Sequence, residues 1–276
     1  MFYGQPVVHV NPNISVISRN ELLNGRTALI TGGTSGIGKA IASSFLNAGA
    51  NVILTSRTKE KAESIAKELG SNYSNQLSIG VELNNTNVDS FKSSFDDILG
   101  VIGGNKIDIL VNNAGVRGGK WGASSFSEYE RVMDTNLKGV FFLSEIVAKY
   151  MKENDIHGNI LNICSASSLR PANSAYCLSK WGLRALTEGM AKTLIPFDIV
   201  VNGIAPGPTA TPMFGFETSN SIELSSQPNK RFTTVEEIAN MAVIYVSDMG
   251  RTIVGDIVYM TGGAALLTYD DNSYEF

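Results

Sequence analysis

Short apolar runs rich in β-branched residues alternate with longer amphipathic stretches along most of this chain. Several runs are apolar without interruption, as strands covered on both faces of a sheet are. A strand followed by a helix, repeated, builds right-handed βαβ crossovers, so we predict a single-domain α/β fold around a doubly wound, mostly parallel sheet. The predicted strands are Thr27–Ile30, Asn51–Thr55, Leu77–Val81, Ile107–Val111, Asn159–Ile163, Ile199–Ile204 and Ile257–Met260. The predicted helices are Ile37–Ala48, Lys59–Leu69, Val88–Val101, Glu128–Asn154, Ala175–Leu194 and Val235–Val246.

Composition excludes several classes of protein. With 276 residues, of which 43% are hydrophobic and 17% charged, the chain can bury the core of one large domain. A net charge of −4 gives no electrostatic reason to expect a nucleic-acid or membrane partner. Two Cys and two His form neither a disulfide framework nor a metal cluster, so we expect no metal. No export signal or spanning segment is recognisable, and we expect a cytoplasmic protein.

The chain divides into three predicted parts. Residues 1–24 form an N-terminal extension, residues 25–263 the folded domain, and residues 264–276 an acidic tail. Within the domain, an insert at about residues 209–233 is rich in Ser, Pro and Asn and separates a strand from a helix. A long irregular insert in that position is typical of a functional lid.

A glycine-rich loop follows the first predicted strand directly and leads into a helix. It reads Thr31-Gly32-Gly33-Thr34-Ser35-Gly36-Ile37-Gly38. Glycines allow a tight turn and a close approach of phosphate, and the helix N-terminus offers free N–H groups. A P-loop needs Ser or Thr after the Lys, and Ala40 stands there, so an NTPase is excluded. A dinucleotide site is the favoured interpretation, and a purely structural turn is the alternative.

The end of the second predicted strand distinguishes between cofactors. Proteins that bind NAD usually place Asp or Glu there to accept a hydrogen bond from the ribose 2′-hydroxyl. This chain has Thr55-Ser56-Arg57 instead. Arg57 can hold a 2′-phosphate through charge-assisted hydrogen bonds, so we predict NADP(H) in preference to NAD(H). The alternative is that Arg57 is a solvated residue at the start of a helix.

Tyr176 and Lys180 lie four residues apart in a predicted helix, so they share one of its faces. A tyrosine hydroxyl titrates near ~10, which is too high for ready proton exchange at neutral pH. We expect the Lys180 cation to favour the phenolate and lower the pKa of Tyr176. Tyr176 could then exchange a proton with a substrate oxygen while a hydride moves to or from carbon.

Taken together, these motifs resemble the classical type of the short-chain dehydrogenase/reductase family over about residues 25–263. The resemblance implies a Rossmann-like sheet, a nicotinamide cofactor, a homotetramer or homodimer, and interconversion of a carbonyl and an alcohol. The motifs that carry it, in order, are Thr31-Gly32-x-x-x-Gly36-Ile37-Gly38, Asn112-Asn113-Ala114-Gly115, Asn136, Ser165, Tyr176-x-x-x-Lys180 and Pro206-Gly207-x-x-x-Thr211.

The resemblance also implies a role for each matching residue. Tyr176 resembles the catalytic acid/base, and Lys180 the residue that holds the nicotinamide ribose and lowers the tyrosine pKa. Ser165 resembles the hydroxyl that polarises the substrate oxygen, and Asn136 the anchor of a water in the proton relay. The positions expected around the cofactor are Gly32, Thr34, Ser35, Gly36, Ile37, Gly38, Ser56, Arg57, Asn84, Asn113, Ala114, Gly115, Tyr176, Lys180, Pro206, Gly207, Thr209 and Thr211.

Some alternatives stay open at the level of sequence. Ser167 and Ser168 compete with Ser165 for the catalytic position, and Asn84 stands where the family often has an Asp for the adenine amine. The substrate is a small carbonyl or alcohol compound, either a 3-oxoacyl thioester or a sugar, polyol, steroid or secondary metabolite. A non-catalytic nucleotide sensor on the same fold is the second functional hypothesis, although such a sensor needs no Tyr–Lys pair.

Overall fold

The structure is a computed structural model that describes residues 20–216 and 221–268. Its strands are β1 (Thr27–Ile30), β2 (Asn51–Ser56), β3 (Ser78–Glu82), β4 (Ile109–Asn112), β5 (Asn159–Ile163), β6 (Val200–Pro206) and β7 (Ile257–Met260). Its α-helices are α1 (Gly36–Asn47), α2 (Lys59–Gly70), α3 (Phe91–Val101), α4 (Phe126–Met133), α5 (Gly139–Glu153), α6 (Ala175–Leu194) and α7 (Val235–Val246).

All seven strands belong to one parallel sheet in the order β3-β2-β1-β4-β5-β6-β7. The chain therefore winds outward from β1 in one direction and from β4 in the other, which is the doubly wound Rossmann-like arrangement predicted from the sequence. In such sheets the crevice at the carboxyl ends of the strands, where the order reverses, is the usual ligand site. The fold thus places the loops after β1 and β4 side by side.

Helices cover both faces of the sheet, and each face has its own core. On one face α1 and α7 pack through Ile41, Phe45 and Ile238, all fully buried. On the other face α3 and α5 contribute Phe91 and Leu143 to a second cluster. Burial on both faces explains why the central strands are continuous apolar runs.

The long helix predicted over Glu128–Asn154 is not a continuous α-helix in the structure. The apolar periodicity of residues 128–154 predicts a single helix, but a π-helical segment over Asp134–Lys138 separates α4 from α5. The helical axis continues through it, which is why the sequence pattern shows no break. Single π turns inside α-helices occur frequently at functional sites, and this one carries Asn136.

Smaller differences lie at element ends. β2 and β6 extend to Ser56 and Pro206, beyond their predicted limits, while β4 begins later, at Ile109. A short 3₁₀ turn, Val88–Ser90, occupies the beginning of the third predicted helix.

The predicted extension and tail lie largely outside the described residues, including Asp270, Asp271 and Glu275 of the tail. Leu23, at the end of the extension, is fully buried in the α1 core, and its backbone N–H donates to the carbonyl of Ala48. No helix among the residues the structure describes is long and apolar enough to cross a membrane.

Candidate active site

A cleft of about 850 Å³ opens at the carboxyl ends of the strands. Most of the residues predicted at the site line it, while Asn136 is fully buried behind its wall. The predicted residues that line the cleft are Gly32, Ser35, Gly36, Ile37, Asn113, Gly115, Ser165, Tyr176, Lys180, Pro206, Gly207, Thr209 and Thr211.

The glycine-rich loop ends at the N-terminus of α1. Gly36 has φ +51°, a left-handed conformation that favours glycine. The Ser35 side chain does not cap the helix, and the first turn of α1 carries no acidic residue. The N–H groups of that turn therefore face the cleft without a side-chain acceptor, which fits the diphosphate of a dinucleotide. The residues present thus suit a nicotinamide cofactor.

Thr31 and Asn113 brace this loop against the end of β4. Thr31 Oγ1 accepts hydrogen bonds from the backbone N–H groups of Asn113 and Ala114, at 3.0 and 3.1 Å. Asn113 Nδ2 donates to the carbonyl of Gly32 at 3.0 Å. A Cβ at Gly38 would lie 2.4 Å from Asn113 Nδ2, so only glycine fits this contact. Asn113 therefore supports the loop from behind as well as lining the cleft.

Ser56, Arg57 and Asn84 lie at the ends of β2 and β3, outside the lining of the cleft. The two strand ends are adjacent, since the N–H of Leu83 donates to the carbonyl of Ser56. Arg57 is exposed, and within the described residues its side chain has no hydrogen bond or ion pair. Asn84 Oδ1 accepts from the N–H and hydroxyl of Thr86, so its acceptor is already engaged in its own turn.

Tyr176 and Ser165 meet in the middle of the cleft. Ser174 caps α6 and places Tyr176 in its first turn, and Ser165 stands two residues after the end of β5. The hydrogen-bonding effect of Ser165 lowers the pKa of Tyr176, which opposes the effect of burial. Of the three candidate serines, Ser165 thus contacts Tyr176, whereas Ser168 Oγ donates back to the carbonyl of Ser165.

The expectation that Lys180 lowers the pKa of Tyr176 is wrong for this structure. Burial raises the pKa of Tyr176, and the Ser165 hydrogen bond and the charge of Arg117 only partly oppose it. The Lys180 ammonium lies 6.0 Å from the centre of the Tyr176 ring. Nζ instead donates to the carbonyl of Ile163 at 2.7 Å, and burial lowers the pKa of Lys180 to about 8. The spacing along α6 indicates the shared face correctly, but tertiary burial sets the direction of both pKa shifts.

Asn136 reaches the site from the π-helical segment. Its Oδ1 accepts from the N–H of Val116 at 2.8 Å, and its Nδ2 donates to the carbonyl of Val116 and to Ser179 Oγ. A Cβ built at Gly115 would lie 3.6 Å from Asn136 Oδ1 and 3.9 Å from Lys180 Nζ. Asn136 Oδ1 and Lys180 Nζ therefore lie close to the same point of the loop after β4.

A buried polar chain beneath the site was not predicted. Asn112 Nδ2 donates to Asn162 Oδ1 and to Ser144 Oγ, both at 2.9 Å. Asn162 Nδ2 donates to Thr187 Oγ1 at 2.9 Å. The chain links β4, α5, β5 and α6 directly below the catalytic candidates. Its signal in the sequence is Asn112 and Asn162, which stand near the ends of two mostly apolar strands.

The predicted lid forms the remaining wall. Thr211 approaches the glycine loop, since a Cβ at Gly36 would lie 3.4 Å from Thr211 Cγ2. Further along, the Phe214 ring packs on the Arg117 guanidinium, with 4.6 Å from Cζ to the ring centroid. The ends of the insert pair with each other through Thr209 and Thr233. Residues 217–220 of the lid lie outside the described part of the chain.

Comparison with known proteins gives consistent matches over most of the chain. Residues 26–221 match the model of a family described as short chain dehydrogenase. A 3-oxoacyl-[acyl-carrier-protein] reductase of Aquifex aeolicus is 33% identical over 247 residues, covering 87% of this chain and 98% of that protein. Glucose 1-dehydrogenase 2 of Bacillus subtilis is 32% identical over 256 residues, covering 88% of this chain and 96% of that protein.

A solved structure agrees with these matches. The crystal structure of a short-chain type dehydrogenase/reductase from Mycobacterium marinum superimposes with a TM-score of 0.79 at 29% identity, covering 87% of this chain and 96% of the other.

Proposed function

Because this chain belongs to the short-chain dehydrogenase family, we propose that it works with NADP(H) in preference to NAD(H) and uses Tyr176 as its acid/base. The coarser activity follows from the family: the protein is a nicotinamide-dependent oxidoreductase that interconverts carbonyl groups and alcohols. The observation that carries the proposal is that Ser165, Tyr176 and Lys180 line the same cleft as the glycine loop.

Each residue then has one task. The nicotinamide, when bound, supplies or accepts the hydride. Ser165 orients the substrate oxygen by hydrogen bonding, and Tyr176 exchanges the proton with that oxygen. Lys180 and Asn136 lie near Gly115, where Asn136 can anchor a water and Lys180 can exchange the proton between that water and Tyr176.

The raised pKa of Tyr176 determines how the reaction responds to pH. At neutral pH the hydroxyl is protonated, which is the form that donates to a carbonyl oxygen during reduction. Oxidation of an alcohol needs the phenolate, so its rate rises as the solution becomes alkaline.

Substitution of Tyr176 by Phe tests the acid/base role. It removes the hydroxyl and keeps the ring, so it should lower carbonyl reduction by about 100-fold or more, within the range that positioned acid–base groups contribute. Cofactor binding, followed by thermal shift, should persist. Turnover close to that of the wild type would contradict the mechanism, and loss of cofactor binding would show that the ring serves binding instead.

The cofactor preference rests on Arg57, whose exposed side chain directly follows β2, a strand that ends without an Asp or Glu of its own. Thermal shifts with NADPH and NADH should show stronger stabilisation by NADPH in the wild type. Arg57→Ala should reduce the NADPH shift and leave the NADH shift in place. Lys61→Ala, a loss of positive charge on the exposed face of α2, is the matched control. Equal shifts for the two cofactors in the wild type would refute the preference.

A further inference from the structure

The loop after β4 places two cations at the substrate end of the cleft. Arg117 and Lys120 both line the cleft and are both exposed. Within residues 20–216 and 221–268, neither side chain forms an ion pair with a carboxylate, and Glu128 is the one carboxylate among the described residues of the lining. Because no paired carboxylate neutralises Arg117 or Lys120 among the described residues, the two cations create a local positive potential in the cleft.

Backbone hydrogen bonds hold this loop rigidly beside Tyr176. The N–H of Tyr176 donates to the carbonyl of Gly118 at 3.3 Å, and the N–H of Ala175 donates to the carbonyl of Gly119 at 2.8 Å. Arg131 Nη2 donates to the carbonyl of Arg117 at 3.1 Å. The backbone of Arg117 is therefore fixed relative to the catalytic candidate.

The guanidinium of Arg117 has the acid/base on one side and the lid on the other. Its charge acts on the Tyr176 hydroxyl, lowering the pKa of that group against the effect of burial. One face of the guanidinium packs on Phe214, which in turn contacts Phe232 at 6.4 Å between ring centroids. Stacking on an aromatic ring leaves the edge of the guanidinium and its N–H donors available for an anion.

From this geometry we propose that the enzyme selects carbonyl and alcohol substrates that carry an anionic group, a carboxylate or a phosphate, which Arg117 and Lys120 bind. The inference rests on the proposed function, since it assigns the substrate class of the same site. The anion sits between the loop after β4 and the lid, beside the Phe214 ring that packs on Arg117. The named relatives include reductases and dehydrogenases of very different substrates, so their names do not select this class.

Matched acids and esters test the proposal directly. The probes are pyruvate, acetoacetate and levulinate, whose carbonyl groups stand at increasing distance from the carboxylate, together with their methyl esters. With NADPH as the reductant, kcat/KM for the acid should exceed that for the ester by about tenfold or more at one spacing at least. Arg117→Gln should lower that ratio by about tenfold, and Arg117→Lys should retain part of it. The control Lys61→Gln, on α2, should leave the ratio unchanged.

The outcomes separate this inference from the proposed function. If esters are reduced as well as acids at every spacing, the function stands and the anion site is refuted. If no probe is reduced, the proposed function fails on these compounds, and the anion site is decided by binding. Thermal shifts of the enzyme with NADP⁺ then compare levulinate with methyl levulinate. An acid-selective shift that Arg117→Gln removes supports the site, and the absence of such a shift overturns it.

Discussion

The buried charge of Lys180 should destabilise the folded protein at neutral pH, and replacing Lys180 by a neutral residue should change how the unfolding free energy depends on pH. The side chain is 5% exposed, and its ammonium donates one hydrogen bond, to Ile163 O. Burial lowers the pKa of Lys180 from 10.5 to about 8. At about 1.4 kcal/mol per pH unit, this difference corresponds to about 3 kcal/mol of lost stability while the lysine is charged.

Proton binding at Lys180 determines whether the stability of the protein rises or falls with pH. Between pH 8 and 10.5 the unfolded chain binds a proton at Lys180 that the folded protein has released, so folding becomes more favourable as the pH rises through this range. Lys180→Met removes this contribution. The difference in unfolding free energy between variant and wild type should therefore shrink by about 2 to 3 kcal/mol from pH 7 to pH 10.

Urea unfolding at fixed protein concentration measures this difference at each pH. The substitution also leaves the carbonyl of Ile163 without its donor, but that cost is the same at both pH values and cancels. Lys192→Met, an exposed lysine on the same helix, is the control and should show no comparable change. A difference between Lys180→Met and wild type that stays constant within about 0.5 kcal/mol would refute the assignment of a buried charge.

Three further predictions concern the same site. The value of kcat/KM for carbonyl reduction should fall as the pH rises above about 8, because Lys180 then loses its proton. Lys180→Arg keeps its charge, so this decrease should be absent in that variant. Gly119→Ala should lower the free energy of unfolding in urea by about 1–3 kcal/mol, because Gly119 has φ +73° and the new Cβ would lie 2.5 Å from Ala175 Cβ. Gly100→Ala is the control, since a Cβ there would meet open space and should not destabilise the protein. Asn162→Leu should cost at least about 2 kcal/mol, since it leaves the buried donor of Asn112 without its acceptor, and an unchanged unfolding midpoint would contradict the network.

The sheet and its helices are largely readable from the sequence because both follow local periodicity. The predicted limits of β1, β5, β7, α6 and α7 match the structure. Rossmann-like topology follows from the order of strands and helices, since right-handed crossovers leave few alternatives. Positions in the cleft follow as well, because polar and glycine residues directly after parallel strands must meet at one edge of the sheet.

Other features depend on contacts between distant segments. The direction of the Tyr176 pKa shift depends on burial among β5, α6 and the loop after β4, which spacing along one helix does not report. The polar chain through Asn112 and Asn162 links residues 50 positions apart, and neither residue indicates its partner in the sequence. The π-helical segment preserves the apolar pattern on both sides of it, so periodicity predicts one continuous helix.

Because of the π-helical segment Asp134–Lys138, the geometry of the candidate site depends on the number of residues between β4 and β5. A π turn closes its hydrogen bond over one residue more than an α turn, so it rotates everything after it by about 100°. Within the turn, the helix is oriented to hold Asn136 against Val116; after it, Leu143 and Met151 face the sheet. A regular helix could satisfy one of these orientations but not both. Loss of a residue of Asp134–Lys138 other than Asn136 would thus leave a more regular helix and move Asn136 away from Val116, with every catalytic candidate still present.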